Sequence, residues 1–325
     1  MAYKILVTGG SGFIGTNVLA QFEKAGHQVL NIDIAPPRCA SQGHLWKQLD
    51  ICAGAELTAA FQDFAPDYVL HLAARTDMDG QTLADYEANI GGVRNIVAAV
   101  KATPGIRRTL FMSSRLVCQI GYMPTSDTDY NATTVYGQSK VEGEKIVRAE
   151  AADHFPWLIL RPTSIWGPWF DVPYRNFFDA LRRGIYVHPT KRPILKSYGY
   201  VGNSVHQIDT VLMKANDGDV LNKTFYMCDY PPLEVSEWAG MICRELGVRN
   251  APSLPYGIMK LMALGGDVLK ACGWLSVPLT SFRLNNILTE MVHETRDMEA
   301  LCGALPYTLE DGVRETCEWL KDHPR

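Results

Sequence analysis

The chain has 325 residues, enough for one large domain or two cooperating ones with an ample core. At 47% apolar and 20% charged residues it has the make-up of an ordinary globular protein, and a net charge of −4 gives no broad basic surface for nucleic acid or a bilayer. The eight cysteines are scattered without a C-x-x-C pair, and the eight histidines form neither an H-E-x-x-H motif nor a tight cluster. A reduced, cytoplasmic protein is therefore expected, with no disulfide framework and no structural metal. No basic segment followed by a long apolar one opens the chain, so no signal peptide is expected.

The first organising stretch is Tyr3 to Gly15. An aliphatic run, Ile5 to Val7, leads into Gly9-Gly-Ser-Gly12-Phe-Ile-Gly15, and Phe13, Ile14, Val18, Leu19 and Phe22 follow at helical spacing. Strand, tight turn and helix start are the setting of a dinucleotide phosphate site. In this reading Gly9 permits the turn, Gly12 lets the backbone approach a pyrophosphate, and Gly15 allows close packing, while the helix N-terminus faces the anion.

Strand-like and helix-like segments then alternate. Strands are predicted over 28–33, 68–73, 108–113 and 157–161, and helices over 57–64, 86–100 and 135–151. Apolar strands alternating with helices predict an α/β fold, a Rossmann-like doubly wound parallel sheet covered on both faces. After Pro162 the pattern changes, with Gly, Pro and aromatics crowding 166–174. Helices are predicted over 176–183, 205–215, 235–246, 256–272 and 309–321, and a strand near 224–228 returns to the sheet. The expected division is a dinucleotide-binding domain over 1–165 and a smaller, mostly helical substrate-binding cap over 166–325, interleaved with it. In the apolar stretch 254–279, Ile258, Leu261, Met262, Val268, Leu269 and Cys272 recur at helical spacing. With Lys260, Asp267 and Lys270 interrupting it, a pocket-covering helix is expected rather than a membrane span.

Two constellations carry chemistry. Asp33 ends the second predicted strand, eighteen residues past Gly15. There it can accept both hydroxyls of an adenosine ribose and repel a 2′-phosphate, which favours NAD over NADP, although Arg38 close by leaves a case for NADP. Asp50 and Ile51 stand where a third strand end flanks an adenine. Tyr136 and Lys140 lie four apart on a predicted helix and so share a face. A phenol has a pKa near about 10 and is a poor base at neutral pH; the ammonium is expected to lower it. Ser114, closing the strand before that helix, is placed to hold a substrate oxygen while Tyr136 moves its proton. The trio suits hydride transfer at a carbinol or ketone. His71, Cys118, Trp166 and Trp169 are read as packing residues first.

These residues, in this order, resemble the extended short-chain dehydrogenase/reductases, the NAD-dependent epimerase/dehydratase family. The resemblance runs from Thr8-Gly-Gly-Ser-Gly-Phe-Ile-Gly15 through Asp33, Asp50-Ile51, His71-Leu-Ala-Ala74, Asn89, Ser113-Ser114 and Tyr136-x-x-x-Lys140 to Arg161-Pro162 and Gly167-Pro168. It implies Ser114, Tyr136 and Lys140 as catalytic residues. It also implies an NAD site formed by Gly9, Gly12, Phe13, Ile14, Gly15, Asp33, Asp50, Ile51, Leu72, Ala73, Ala74, Asn89, Tyr136, Lys140 and Pro162. A homodimer through the helices at 86–100 and 135–151 is implied as well.

The substrate side fits the family less closely. Ser164 stands where nucleotide-sugar members often carry asparagine, and Gly202-Asn203 stands where many carry an acidic pair. The stretch 200–203 together with Arg161-Pro-Thr-Ser164 looks like the 3β-hydroxysteroid dehydrogenase branch, while 166–175 looks like bacterial polysaccharide-cluster members. Thr76, Ser114, Arg115, Ser164, Arg175 and Asn176 are the candidate substrate contacts, and Lys196 is a further candidate for a diphosphate. The expected function is a nucleotide-sugar epimerase or 4-ketoreductase. The alternatives are a sterol-type or other small-carbonyl oxidoreductase and, behind both, a non-catalytic NAD(H) sensor. Dehydration ranks lowest, because Arg115-Leu116 follow Ser114 where dehydratases carry an Asp-Glu pair.

Overall fold

The computed structural model describes residues 2–151, 154–274 and 279–324. β1 (Lys4–Thr8) leads into α1 (Phe13–Lys24), then β2 (Gln28–Asp33), β3 (Trp46–Gln48), α2 (Gly54–Phe64) and β4 (Tyr68–His71). α3 (Glu87–Lys101), β5 (Arg108–Met112), α4 (Val135–Ile146) and β6 (Trp157–Pro162) follow. The chain leaves the sheet through β7 (Ser164–Trp166), α5 (Tyr174–Arg182), β8 (Leu195–Lys196) and β9 (Tyr198–Tyr200). It returns with α6 (Val201–Asp209), α7 (Asp217–Val220) and β10 (Thr224–Met227). β11 (Leu233–Glu234), α8 (Val235–Glu245), α9 (Tyr256–Ala271), α10 (Ser281–Leu288), α11 (Arg296–Cys302) and α12 (Leu309–Asp322) complete it.

The main sheet has the order β3-β2-β1-β4-β5-β6-β10, and every pairing in it is parallel. Successive side chains of a strand point to opposite faces, and both faces here are covered. Ile5 and Val7 pack with α1 and the cap, whereas Leu6 between them packs with α2 and α3. That is why these strands read as unbroken apolar runs instead of alternating ones. Strand order reverses between β1 and β4, which opens a crevice at their C-terminal ends where ligands of open α/β sheets bind.

The returning strand falls at the predicted place, Thr224–Met227, and pairs with β6. Three predictions need correction. Besides this strand, α6 also returns, packing against α1, and it begins at Val201, four residues ahead of the predicted start. The early turn is held by a tertiary contact, since Asn203 Nδ2 donates to Tyr307 O and Asn203 Oδ1 accepts from Tyr307 N, each at 3.0 Å. The helix predicted over 135–151 is α-helical only to Ile146 and continues as a π-helical turn, Val147–Ala151. Short parallel pairing of β7 with β9 and antiparallel pairing of β8 with β11 had no periodic signal to betray them.

The third correction concerns α9. Its protein-facing side is Met259, Ala263 and Gly266, while Ile258, Leu261, Met262, Val268, Leu269 and Cys272 are exposed. The apolar stripe that led to a pocket-covering helix faces outward, and residues 275–278 of that stretch lie outside the described residues. No helix among the described residues is long and apolar enough to cross a membrane.

Candidate active site

The glycine turn is shaped by steric contact. Gly9 has φ +75°, and a Cβ there would stand 2.4 Å from Ala73 N, so the turn presses directly on the chain leaving β4. A Cβ on Gly15 would lie 2.5 Å from Gly10 Cα, which seats the first turn of α1 on the loop. At Gly12, the N-cap of α1, a Cβ would meet only Gly9 O at 3.2 Å, so the space beyond it is open. The first N–H groups of α1, from Phe13 to Gly15, have no carbonyl ahead of them by helix geometry. Asn31, buried in β2, holds the loop: its Oδ1 accepts from Gly10 N at 2.9 Å and its Nδ2 donates to Ser11 Oγ at 3.1 Å. Sequence reasoning missed Asn31, although a lone amide inside an apolar strand beside a glycine turn was the available signal. Asp33 closes β2 and accepts from Ser11 N and Ala35 N, both at 3.0 Å. Arg38 Nη1 donates to Trp169 O at 2.8 Å, which ties it to the cap.

Leu72, Ala73 and Ala74 follow β4 directly over the turn. His71 beneath them is buried and shares a 2.7 Å hydrogen bond with Thr8 Oγ1. Burial, with Lys140 adding to it, pushes the imidazole down to about 3, so it is neutral and joins β1 to β4. Asn89 on α3 accepts from Arg75 N at 2.8 Å and donates to Arg75 O at 3.0 Å and Ser139 Oγ at 2.9 Å. It thus locks the loop after β4 to the residue next to Lys140. Asp50 accepts from Cys52 N at 2.9 Å in an exposed turn, and Ile51 is a core residue set against Gly92.

Ser114 comes beside the Tyr136 phenol, and Lys140 lies one turn further along α4. Thr134 Oγ1 caps α4 by accepting from Gly137 N at 3.0 Å, fixing the turn that carries Tyr136. Ser114 stands beside the Tyr136 phenol, and its Oγ accepts from Leu116 N at 3.1 Å. The expected lowering of Tyr136 by Lys140 is not found. Burial pushes the phenol up to about 12, against the downward pull of Ser114. Lys140 Nζ donates to Met112 O at 3.1 Å, at the end of β5, rather than to the phenol. Burial pushes this ammonium down to about 8, with Glu144 pulling it up.

On the cap side, Ser164 lies on β7 beside the Tyr174 phenol. Tyr174 in turn packs edge-on against Tyr198, and Arg115 faces both phenols. Pro162 ends β6 nearby. Thr76 is exposed in the loop after β4, and Asn176 is exposed on α5. Arg175 departs from expectation: it is buried with its guanidinium over the Trp319 ring, donating to His323 O, and so belongs to the packing of α12. Lys196 likewise donates to Asn286 O and Thr289 O at the end of α10. Trp166 is fully buried among Phe178, Tyr200 and Trp238, and Cys118 is a buried thiol.

The family model described as the NAD dependent epimerase/dehydratase family matches residues 5–222. The chain belongs to that family. Among its relatives is a 3β-hydroxysteroid dehydrogenase/Δ5→4-isomerase of Mycobacterium tuberculosis, 27% identical over 76% of this chain and 70% of that one. Another is the N-acetyl-α-D-glucosaminyl-diphospho-ditrans,octacis-undecaprenol 4-epimerase of Escherichia coli, 25% identical over 97% of this chain and 94% of that one. The fold is shared with the UDP-glucuronic acid 4-epimerase of Bacillus cereus, solved with UDP-glucuronic acid and NAD. Its TM-score is 0.73 at 18% identity, over 98% of this chain and 99% of that one.

As a member of the epimerase/dehydratase family the protein is an NAD-dependent enzyme of the short-chain dehydrogenase/reductase type. Its own residues fit that cofactor. The open space at Gly12, which a Cβ would fill, lies before the free N–H groups of α1, and the Asp33 carboxylate stands at the end of β2.

Proposed function

We propose that the protein is a sugar 4-epimerase or 4-ketoreductase acting on a nucleotide-linked sugar. The reading is supported by Tyr136 and Lys140 on the buried side of α4, with Ser114 beside the Tyr136 phenol and Lys140 Nζ on Met112 O, two residues before Ser114. NAD, when bound, would supply the hydride acceptor and donor. Ser114 hydrogen-bonds the substrate oxygen, and Tyr136 removes its proton and gives it back. Lys140, buried one turn along α4 and donating to Met112 O, would bind the nicotinamide ribose hydroxyls. Arg115 follows Ser114 where dehydration would call for an acid, which leaves epimerisation or simple redox. The Escherichia coli and Bacillus cereus enzymes, both 4-epimerases by name, support the sugar reading.

A 3β-hydroxysteroid substrate is the second reading, favoured by the Mycobacterium tuberculosis relative and by serine rather than asparagine at Ser164. A homodimer through α3 and α4 belongs to the proposal and is tested by light scattering. The main test incubates the protein and NAD with UDP-glucose, UDP-N-acetylglucosamine, UDP-glucuronate and a 3β-hydroxysteroid. Sugar turnover that falls by 100-fold or more, in order of magnitude, in Tyr136→Phe, with NAD affinity unchanged, is the expected result. Turnover of the steroid alone would replace the first reading by the second.

A further inference from the structure

Arg115 has no part in the proton and hydride steps, yet it sits beside them. It follows Ser114 directly and is half-buried between the end of β5 and the cap. Burial holds its guanidinium below the usual arginine value, and the groups that act on its charge are the phenols of Tyr174, Tyr198 and Tyr226. Among the described residues no carboxylate pairs with it. Two other interior arginines pair with carboxylates: Arg161 with Glu144 at 2.7 Å and Arg108 with Asp217 at 2.5 Å. Removing a cation from water without a counter-ion is strongly unfavourable.

A second side chain in the same cavity is also incomplete. His293 is 8% exposed, and neither ring nitrogen has a hydrogen-bond partner. Its position is fixed by its backbone N, which donates to Ser197 Oγ at 3.0 Å, and by stacking on Tyr226 at 4.3 Å. Arg115 and His293 line one cavity together with Gln119, Tyr122 and Glu290. Glu290, the one acid of that lining, is exposed, and its charge acts on Lys196.

We infer that the cavity beside Ser114 is an oxyanion subsite of the substrate pocket, in which Arg115 pairs with an anionic group of the substrate and the His293 N–H is the second donor. This deepens the sugar reading and rests on it, because a neutral steroid brings no such group. Two parts of a nucleotide-linked sugar carry the chemistry: a carboxylate on the reacting ring, and the diphosphate that joins the ring to its carrier. A planar guanidinium matches either one through two parallel N–H···O bonds.

The test uses NAD-saturated protein and calorimetric titration with UDP, UDP-glucose and UDP-glucuronate. Arg115→Met is expected to lose about 10- to 100-fold in affinity, and His293→Phe to lose less in the same pattern. Equal losses for all three ligands identify the diphosphate, and a loss confined to UDP-glucuronate identifies the ring carboxylate. Arg115→Lys keeps the charge without the fork and is expected to fall between the two, which keeps the test open if Arg115→Met does not fold. Unchanged affinity of Arg115→Met for all three ligands, or no binding of any of them to the wild type, overturns the inference. Sugar turnover that Arg115→Met leaves intact removes this subsite alone. Steroid turnover without sugar-nucleotide binding removes the sugar reading with it.

Discussion

Glu144 stands one helical turn beyond Lys140 and accepts from two nitrogens of Arg161, Nε at 2.8 Å on Oε1 and Nη2 at 2.7 Å on Oε2. Neither side chain is more than 2% exposed, and Ser113 Oγ and Tyr130 OH complete the carboxylate at 2.6 and 3.0 Å. The pair ties α4, which carries Tyr136 and Lys140, to β6 across β5, the strand that leads to Ser114. Removing one partner strands the other charge in the interior. Arg161→Met is therefore expected to cost about 3–5 kcal/mol, read from urea unfolding. A loss below about 1 kcal/mol would show that the buried charge is relieved in some other way.

Lys140 gives a signed dependence on pH. Its folded value of about 8 lies below the ordinary lysine value of 10.5, so between these two the unfolded chain binds more protons than the folded one. Stability contributed by this group therefore rises as pH goes from 8 to 10.5, by on the order of 3 kcal/mol. Lys140→Met removes the titration, and the difference in urea midpoint between it and the wild type should change in the wild type's favour across that window. A difference that stays flat would place the lysine in water.

The glycine turn separates folding from binding. Gly9→Ala puts a Cβ against the Ala73 backbone at a positive φ, and a loss of stability of several kcal/mol is expected. Gly12→Ala meets only Gly9 O at 3.2 Å, so the melting temperature should move little. NAD affinity should nevertheless fall by about 10-fold or more, because the new methyl stands where the pyrophosphate approaches. Intact NAD binding in Gly12→Ala would move the phosphate site elsewhere.

Trp166 tests how the cap is held. It is fully buried, with ring centroids of Tyr200 and Trp238 at 5.2 Å and Phe178 at 6.0 Å. Trp166→Ala is expected to destabilise by about 3–5 kcal/mol. Trp166→Phe should cost less, since the indole Nε1 has no partner to lose. Equal effects of the two substitutions, by denaturant titration, would contradict this packing.

The sequence by itself determined the parallel sheet, the glycine turn, Asp33 and the Ser114–Tyr136–Lys140 order. These depend on short-range rules: apolar runs between turns, a glycine where the backbone must approach, and a four-residue spacing on one helix face. Tertiary structure decided what depends on partners far along the chain. Asn31 became the brace of the turn, Arg175 went to Trp319, and Lys196 went to the end of α10. The apolar stripe of α9 turned away from the protein, because periodicity tells that a face exists and not which way it points. Lys140 and Tyr136 share a helix face as their spacing required, yet burial raises the phenol and sends the ammonium to Met112 O. Spacing fixes direction along a helix, but desolvation, set by everything packed around the site, fixes the charge.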